Sequence, residues 1–82
     1  MNEQDLIAAL RRYVHQLSGA GSLDDQTDLF AAGAVKSMQL MELVNHLEDA
    51  YDVRVEQRDL AQGALRSLAS IAAFVITRRR AS

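Results

Sequence analysis

The sequence predicts an all-α bundle of three main helices plus one short helix, with a long first loop. Three observations carry that prediction. Apolar residues recur at helical spacing through most of the 82 residues, Pro is absent, and only four Gly interrupt the pattern. The single alternating stretch, Asp52-Val53-Arg54-Val55-Glu56, has no second strand to pair with. No linker, repeat or low-complexity run divides the chain, so 1–82 is expected to be one domain. A domain of this size buries only about 60% of the surface that its unfolded chain exposes, so its core is single and thin. With no Cys to supply a staple, helix packing alone must hold it.

In the first helix, Leu6, Leu10, Val14 and Leu17 fall at i, i+4, i+8 and i+11, flanked by Ile7 and Tyr13, giving about four amphipathic turns. Asn2 is the expected N-cap, and Ser18-Gly19-Ala20-Gly21 has the chemistry of a helix end. Residues 19–36 then form a long connection with Leu23, Leu29 and Phe30 as apolar pins. Connections of that length in a small domain are most often functional. Thr27 is the expected cap of a short turn over Asp28-Leu29-Phe30, and Gly33 supplies a backbone conformation that a side chain would oppose.

The second helix is expected from Ser37 to about Tyr51, with Leu40, Val44, Leu47 and Tyr51 as its buried stripe. Met38 and Met41 lie beside that stripe near the start. Residues 52–56 read as an extended connector pinned by its valines. Asp59-Leu60-Ala61-Gln62 has a capping-box pattern and opens the short helix, which stops near Gly63. Ser67 caps the last helix, whose Leu68, Ile71, Phe74 and Val75 face inward. Arg78, Arg79 and Arg80 fall at its C-terminus, where cations favour the macrodipole.

Charge and composition exclude several function classes. The net charge of −2 conceals an acidic middle: nine acids against three bases between Asp24 and Asp59, a local balance of −6. Residues 60–82 carry +4 from Arg66, Arg78, Arg79 and Arg80. Such a surface steers toward basic partners and away from nucleic acid, and the arginine run reads as a solvated helix terminus. No stretch approaches the roughly 20 apolar residues of a membrane span. The polar N-terminus does not read as a secretory signal, so a cytoplasmic location is expected. Lacking Cys, the chain has no thiolate nucleophile and no Cys-ligated metal. Ser37 and His46 share one helix but lie about 13.5 Å apart along its axis and on opposite faces, so they form no catalytic pair. His15 and His46 share no carboxylate at metal-ligand spacing. No enzyme activity is expected.

The informative stretch runs from Asp28-Leu29-Phe30 through Gly33 and Lys36 to Ser37-Met38-Gln39-Leu40-Met41-Glu42. It places a hydroxyl at a helix start, behind a Gly-containing loop. The first amides of a helix lack partners and its dipole is positive there, so a phosphate attached at Ser37 would be stabilised. A plain N-cap would equally explain a Ser at this position.

This segment resembles the phosphopantetheine attachment region of the acyl carrier protein family, and the likeness extends over nearly the whole chain. The family pattern has Asp, then Leu or Phe, then Phe, a Gly a few residues on, then Ser followed by Leu or Met and an acidic amphipathic helix. Here those are Asp28-Leu29-Phe30, Gly33, Ser37-Met38 and the helix with Glu42, Glu48 and Asp49. Two features depart from it. Lys36 stands where the family usually has Asp, which puts in question which transferase recognises the chain. The net charge is also modest beside the strongly acidic fatty-acid carriers. The Gly33 spacing and the Ser-Met pair look more like the stand-alone aminoacyl and D-alanyl carriers.

The resemblance implies that a phosphopantetheinyl transferase, with Mg²⁺ and coenzyme A, places 4′-phosphopantetheine on Ser37. An ATP-dependent ligase then loads an acid, on this likeness an amino acid, as a thioester for a downstream acceptor enzyme. The cofactor carries the chemistry and the protein supplies attachment and recognition. Met38 and Met41 are candidates for an apolar partner contact or for core filling. Glu42, Glu48 and Asp49 either meet basic residues of partners or form an ordinary solvated face. A monomer is expected, and the small core argues against withdrawal of the cargo into the bundle. The competing reading is an unmodified helical interaction module with an acidic recognition helix.

Overall fold

The computed structural model describes residues 2–19 and 23–81, with the side chains of residues 37, 80 and 81 outside the description. Four helices follow in order: α1 (Glu3–Ser18), α2 (Ser37–Tyr51), α3 (Gln57–Ala61) and α4 (Leu68–Ala81). The bundle is therefore all-α, with three main helices and one short one, as the periodicity predicts. No strand occurs among the described residues, and no helix is long and apolar enough to cross a membrane.

The α1 helix starts where the side chain of Asn2 accepts from the Asp5 N–H at 2.8 Å. It ends on Gly19, whose left-handed backbone (φ 71°) lets its N–H reach the His15 carbonyl at 2.8 Å. The remainder of the predicted end, Ala20 and Gly21, lies outside the described residues. Helix α1 packs most extensively on α4, and both pack on α2. Leu6, Ile7, Leu10 and Val14 meet Leu43 and Leu47 of α2 and Leu68, Ile71, Ala72 and Val75 of α4 in one core.

Several elements depart from their predicted detail. Leu43 is fully buried, whereas Leu40, Val44 and Tyr51 pack on the core from its margin. The short helix begins two residues before Asp59, so Asp59 is its third residue. Its carboxylate accepts from the Glu56 N–H at 2.8 Å, and the predicted pairing with Gln62 does not form. Ser67 does cap α4, accepting from the Ser70 N–H at 3.1 Å. Phe74 is half-buried, with the Arg78 guanidinium 4.7 Å over its ring.

Arg78 is no solvated terminus. Its guanidinium donates to the Asp59 carboxylate at 2.7 Å and to the Arg54 carbonyl at 2.9 Å, tying α4 to α3 and to the connector before it. Burial pushes the Asp59 carboxyl up. The Glu56 N–H and the Arg78 hydrogen bond, helped by the charges of Arg78 and Arg58, outweigh that and hold it below its ordinary value. Of the other predicted members of the arginine run, the Arg80 side chain lies outside the described residues.

Candidate functional site

The connection before α2 is long but not loose, and its hydrogen bonds explain how residue 37 is positioned. Leu23, Leu29, Ala34 and Val35 are buried. The Leu29 N–H donates to the Arg66 carbonyl at 2.7 Å, and the Ala69 N–H donates to the Asp25 carbonyl at 3.0 Å. These two bonds fasten the connection to the start of α4. Arg11 adds a third tie from α1, donating to the Leu23 carbonyl at 3.0 Å and pairing with Asp25.

The turn at residues 28–33 is capped by Asp28, not by Thr27. One Asp28 oxygen accepts from the N–H groups of Phe30 and Ala31, both at 3.0 Å. Asx side chains bond to the backbone two and three residues on in this way. Gly33 closes the turn at φ 78°, and the space around its Cα is open, so backbone conformation alone requires glycine. The N–H groups of Ala34 and Val35 then both return to the Leu29 carbonyl, at 2.9 and 3.1 Å. Phe30, predicted as an apolar pin, instead lies on the outside of this turn, 41% exposed.

Lys36 is the N-cap of α2, so Ser37 is its first helical residue and not its cap. The Lys36 N–H donates to the Gln39 side chain at 2.8 Å, which supplies the reach-back half of a capping box. The forward half is missing, because a lysine side chain has no acceptor for the first-turn amides. Among the described residues no side chain caps this end, and its first turn contains no acid. Unpaired amides, a helix dipole and the exposed Lys36 therefore converge on residue 37. This arrangement favours an anion and offers it no competing carboxylate.

Two contacts hold the start of α2 against α1. Gln39 donates to the Leu17 carbonyl at 3.5 Å, and the Tyr13 hydroxyl donates to the Glu42 carbonyl at 3.2 Å. Deeper along the helix, the His46 ring stacks on Tyr13 at 3.7 Å and meets Tyr51 edge-on at 6.0 Å. Burial lowers the pKa of His46, against the opposing charge of Asp49. It raises that of Tyr13, with the Glu42 charge adding to the effect. His46 is thus packed into the α1–α2 contact and turned away from the start of α2.

The five predicted partner-facing residues divide. Met38 and Met41 are 81% and 59% exposed, so neither fills the core. Glu42 and Asp49 are exposed on the same side of α2. Glu48 differs: half-buried, its carboxylate accepts from the Val55 N–H at 3.0 Å and fixes the connector to α3. Between α3 and α4 an open groove of about 390 Å³ is lined by Asp59, Gln62, Phe74, Thr77 and Arg78 among others. None of its lining residues belongs to α2 or to the connection before it.

Comparison with known proteins adds one match. The family model described as a phosphopantetheine attachment site aligns with residues 5–75, from the first turn of α1 to the buried Val75 of α4. No curated protein matched the chain.

Proposed function

The chain belongs to the phosphopantetheine attachment-site family, and from that premise we propose that Ser37 bears the 4′-phosphopantetheine and that the cargo is an amino acid. Members of the family are carrier modules, not catalysts, and this chain has a site for that cofactor. The residues around position 37 suit the group. A phosphodiester there would meet the uncapped amides of α2 and the Lys36 ammonium, with no first-turn acid to repel it. That electropositive helix start is the observation that carries the proposal.

In the attachment step the Ser37 hydroxyl oxygen forms a bond to the phosphorus of the pantetheine phosphate in coenzyme A. The pyrophosphate P–O bond breaks, the adenosine bisphosphate half leaves, and the serine proton passes to the transferase or to solvent. Once attached, the arm supplies a thiol on which an activated acid is held as a thioester. The protein's own tasks are holding the serine at an accessible helix start and offering a surface to successive enzymes. Those enzymes are a phosphopantetheinyl transferase, an ATP-dependent ligase and a downstream acceptor, met in the cytoplasm by a monomer. The aminoacyl cargo rests on the Gly33 spacing and the Ser37-Met38 pair, which resemble the stand-alone aminoacyl carriers.

The test is intact mass after incubation with coenzyme A, Mg²⁺ and a broad-specificity transferase, followed by exposure to ATP, amino acids and the source organism's ligases. Wild type is expected to gain one phosphopantetheinyl group and then one amino acid, and Ser37→Ala neither. A gain retained in Ser37→Ala would move the attachment elsewhere, and no gain at all would favour the unmodified interaction module.

A further inference from the structure

The exposed face of α2 is ordered by charge, and the use inferred for it rests on attachment at Ser37. Met38, Met41, Glu42, Asn45 and Asp49 are all exposed, and their helical spacing puts them on one stripe, opposite the buried Leu43 and Leu47. Exposed Lys36 precedes that stripe in the chain as the N-cap of α2, about 200° round the helix axis from Met38. From its N-terminal end the stripe is apolar at the two methionines and then anionic, and the cation stands beside it at the cap. A rise of 1.5 Å per residue puts Glu42 about 9 Å and Asp49 about 20 Å beyond Lys36.

The acids of the preceding connection, and Glu48, have partners of their own and none of them pairs with Lys36. Asp24 accepts from the Gln26 N–H at 2.9 Å, Asp25 pairs with Arg11, and Asp28 caps its own turn and faces Arg66 at 3.7 Å. Glu48 is held by Val55. Among the described residues Lys36 makes no ion pair.

Any enzyme that modifies Ser37 must bring its reacting atoms to a residue flanked in the chain by exposed Lys36 and exposed Met38. Covering Met38 removes apolar surface from water, which is favourable. Covering Lys36 strips water from an ammonium, which is unfavourable unless an opposite charge replaces it.

We propose that the phosphopantetheinyl transferase acting on this chain presents a carboxylate opposite Lys36 and an apolar socket for Met38. Basic side chains of the same enzyme lie farther along, opposite Glu42 and Asp49. Lys36 is then a specificity determinant: a transferase with a base at the matching point meets like charge and is rejected.

The experiment measures kcat/KM for coenzyme A-dependent modification by each phosphopantetheinyl transferase of the source organism, read by intact mass. Its substrates are the wild type, Lys36→Ala, Lys36→Asp, Met38→Ser and Ser37→Ala. The Lys36 side chain makes no cap bond, and Asp is a favoured N-cap, so Lys36→Asp leaves the fold intact. For the transferase fastest on the wild type, Lys36→Asp is expected to lower kcat/KM about tenfold, chiefly through KM, with a gap that narrows as salt rises. Lys36→Ala should fall between the two, and Met38→Ser should lose activity without that salt dependence. Modification of Lys36→Asp as fast as wild type, or faster, would overturn the proposal while leaving attachment at Ser37 standing. No modification of the wild type by any of these enzymes would instead remove the attachment reading on which the proposal rests.

Discussion

At the start of α3 the buried Asp59 carboxylate accepts from the Glu56 N–H with one oxygen and from Arg78 with the other. At the start of α2 the corresponding third residue is the uncharged Gln39, which accepts from the Lys36 N–H, and the side chain of the cap Lys36 makes no bond to the helix that it heads. Both are helix starts entered from extended backbone, and both use the side chain of the third helical residue to receive the cap residue's N–H. They differ in what is done with charge. Around Asp59 the buried carboxylate is met by Arg78 within the fold, and the result is a joint between α3, α4 and the connector. Around residue 37 the neighbouring acids are spent on the loop, and the remaining cation and methionines face outward. The contrast teaches that a helix start can either join elements or be left available to partners, and that the distribution of ion pairs decides which.

The sharpest break of this comparison is Ser37→Ala. Phosphopantetheine attachment is expected to fall from complete to none by intact mass. Thermal stability should stay within about 0.5 kcal/mol of wild type, because Ala is a good helix former at an end with no side-chain cap. The largest effect on stability belongs to the other helix start. Asp59→Ala removes the cap acceptor and strands a mostly buried Arg78, and should cost about 3 kcal/mol in urea unfolding while leaving the attachment site chemically intact. Asp59→Asn keeps an acceptor for the Glu56 N–H and should cost about half as much.

Acid titration sharpens the same point. The folded-state pKa of Asp59 lies below its unfolded value, so its contribution is fully present above the unfolded carboxylate range and is lost as pH falls through the lowered folded value. Unfolding midpoints followed across that acid range should drop less steeply in Asp59→Asn than in wild type. A smaller limb lies nearer neutrality. His46, also lowered in the fold, contributes fully above about pH 6.5 and progressively less as pH falls below it. Replacing His46 by Gln should flatten that limb. Smallest of all, Met38→Ser and Lys36→Ala should shift stability by no more than about 0.5 kcal/mol, since neither side chain is buried or bonded.

Most of the architecture was legible in the chain. Helix spans, the Asn2, Gly19 and Ser67 caps, the turn at Gly33 and the start of α2 at Ser37 all follow from local periodicity and cap chemistry. Leu43 was legible too, lying three residues after Leu40 and four before Leu47, but a stripe drawn too narrowly passed over it. Thr27 and Asp28 are neighbours of similar capping ability, and only the backbone course of the turn selects Asp28. Phe30 has the composition of a core residue, yet the Asp28 turn carries it outward.

What the sequence by itself determined is the set of helices, the long connection between the first two, and a serine at a helix start, because each depends on residues within one or two turns of one another. Which charges are joined was decided only by the tertiary structure. Asp59 meets Arg78 across 19 positions, Arg11 meets Asp25 across 14, and Glu48 turns inward to Val55. No local pattern distinguishes an acid that will be held by a distant arginine from one that will face water, since that outcome depends on how helices dock. The docking of α4 on α1 brought Arg78 to Asp59 of α3 and so assigned it to the fold, while the packing of α2 left Met38, Met41, Glu42 and Asp49 on its outer face and Lys36 exposed at its cap.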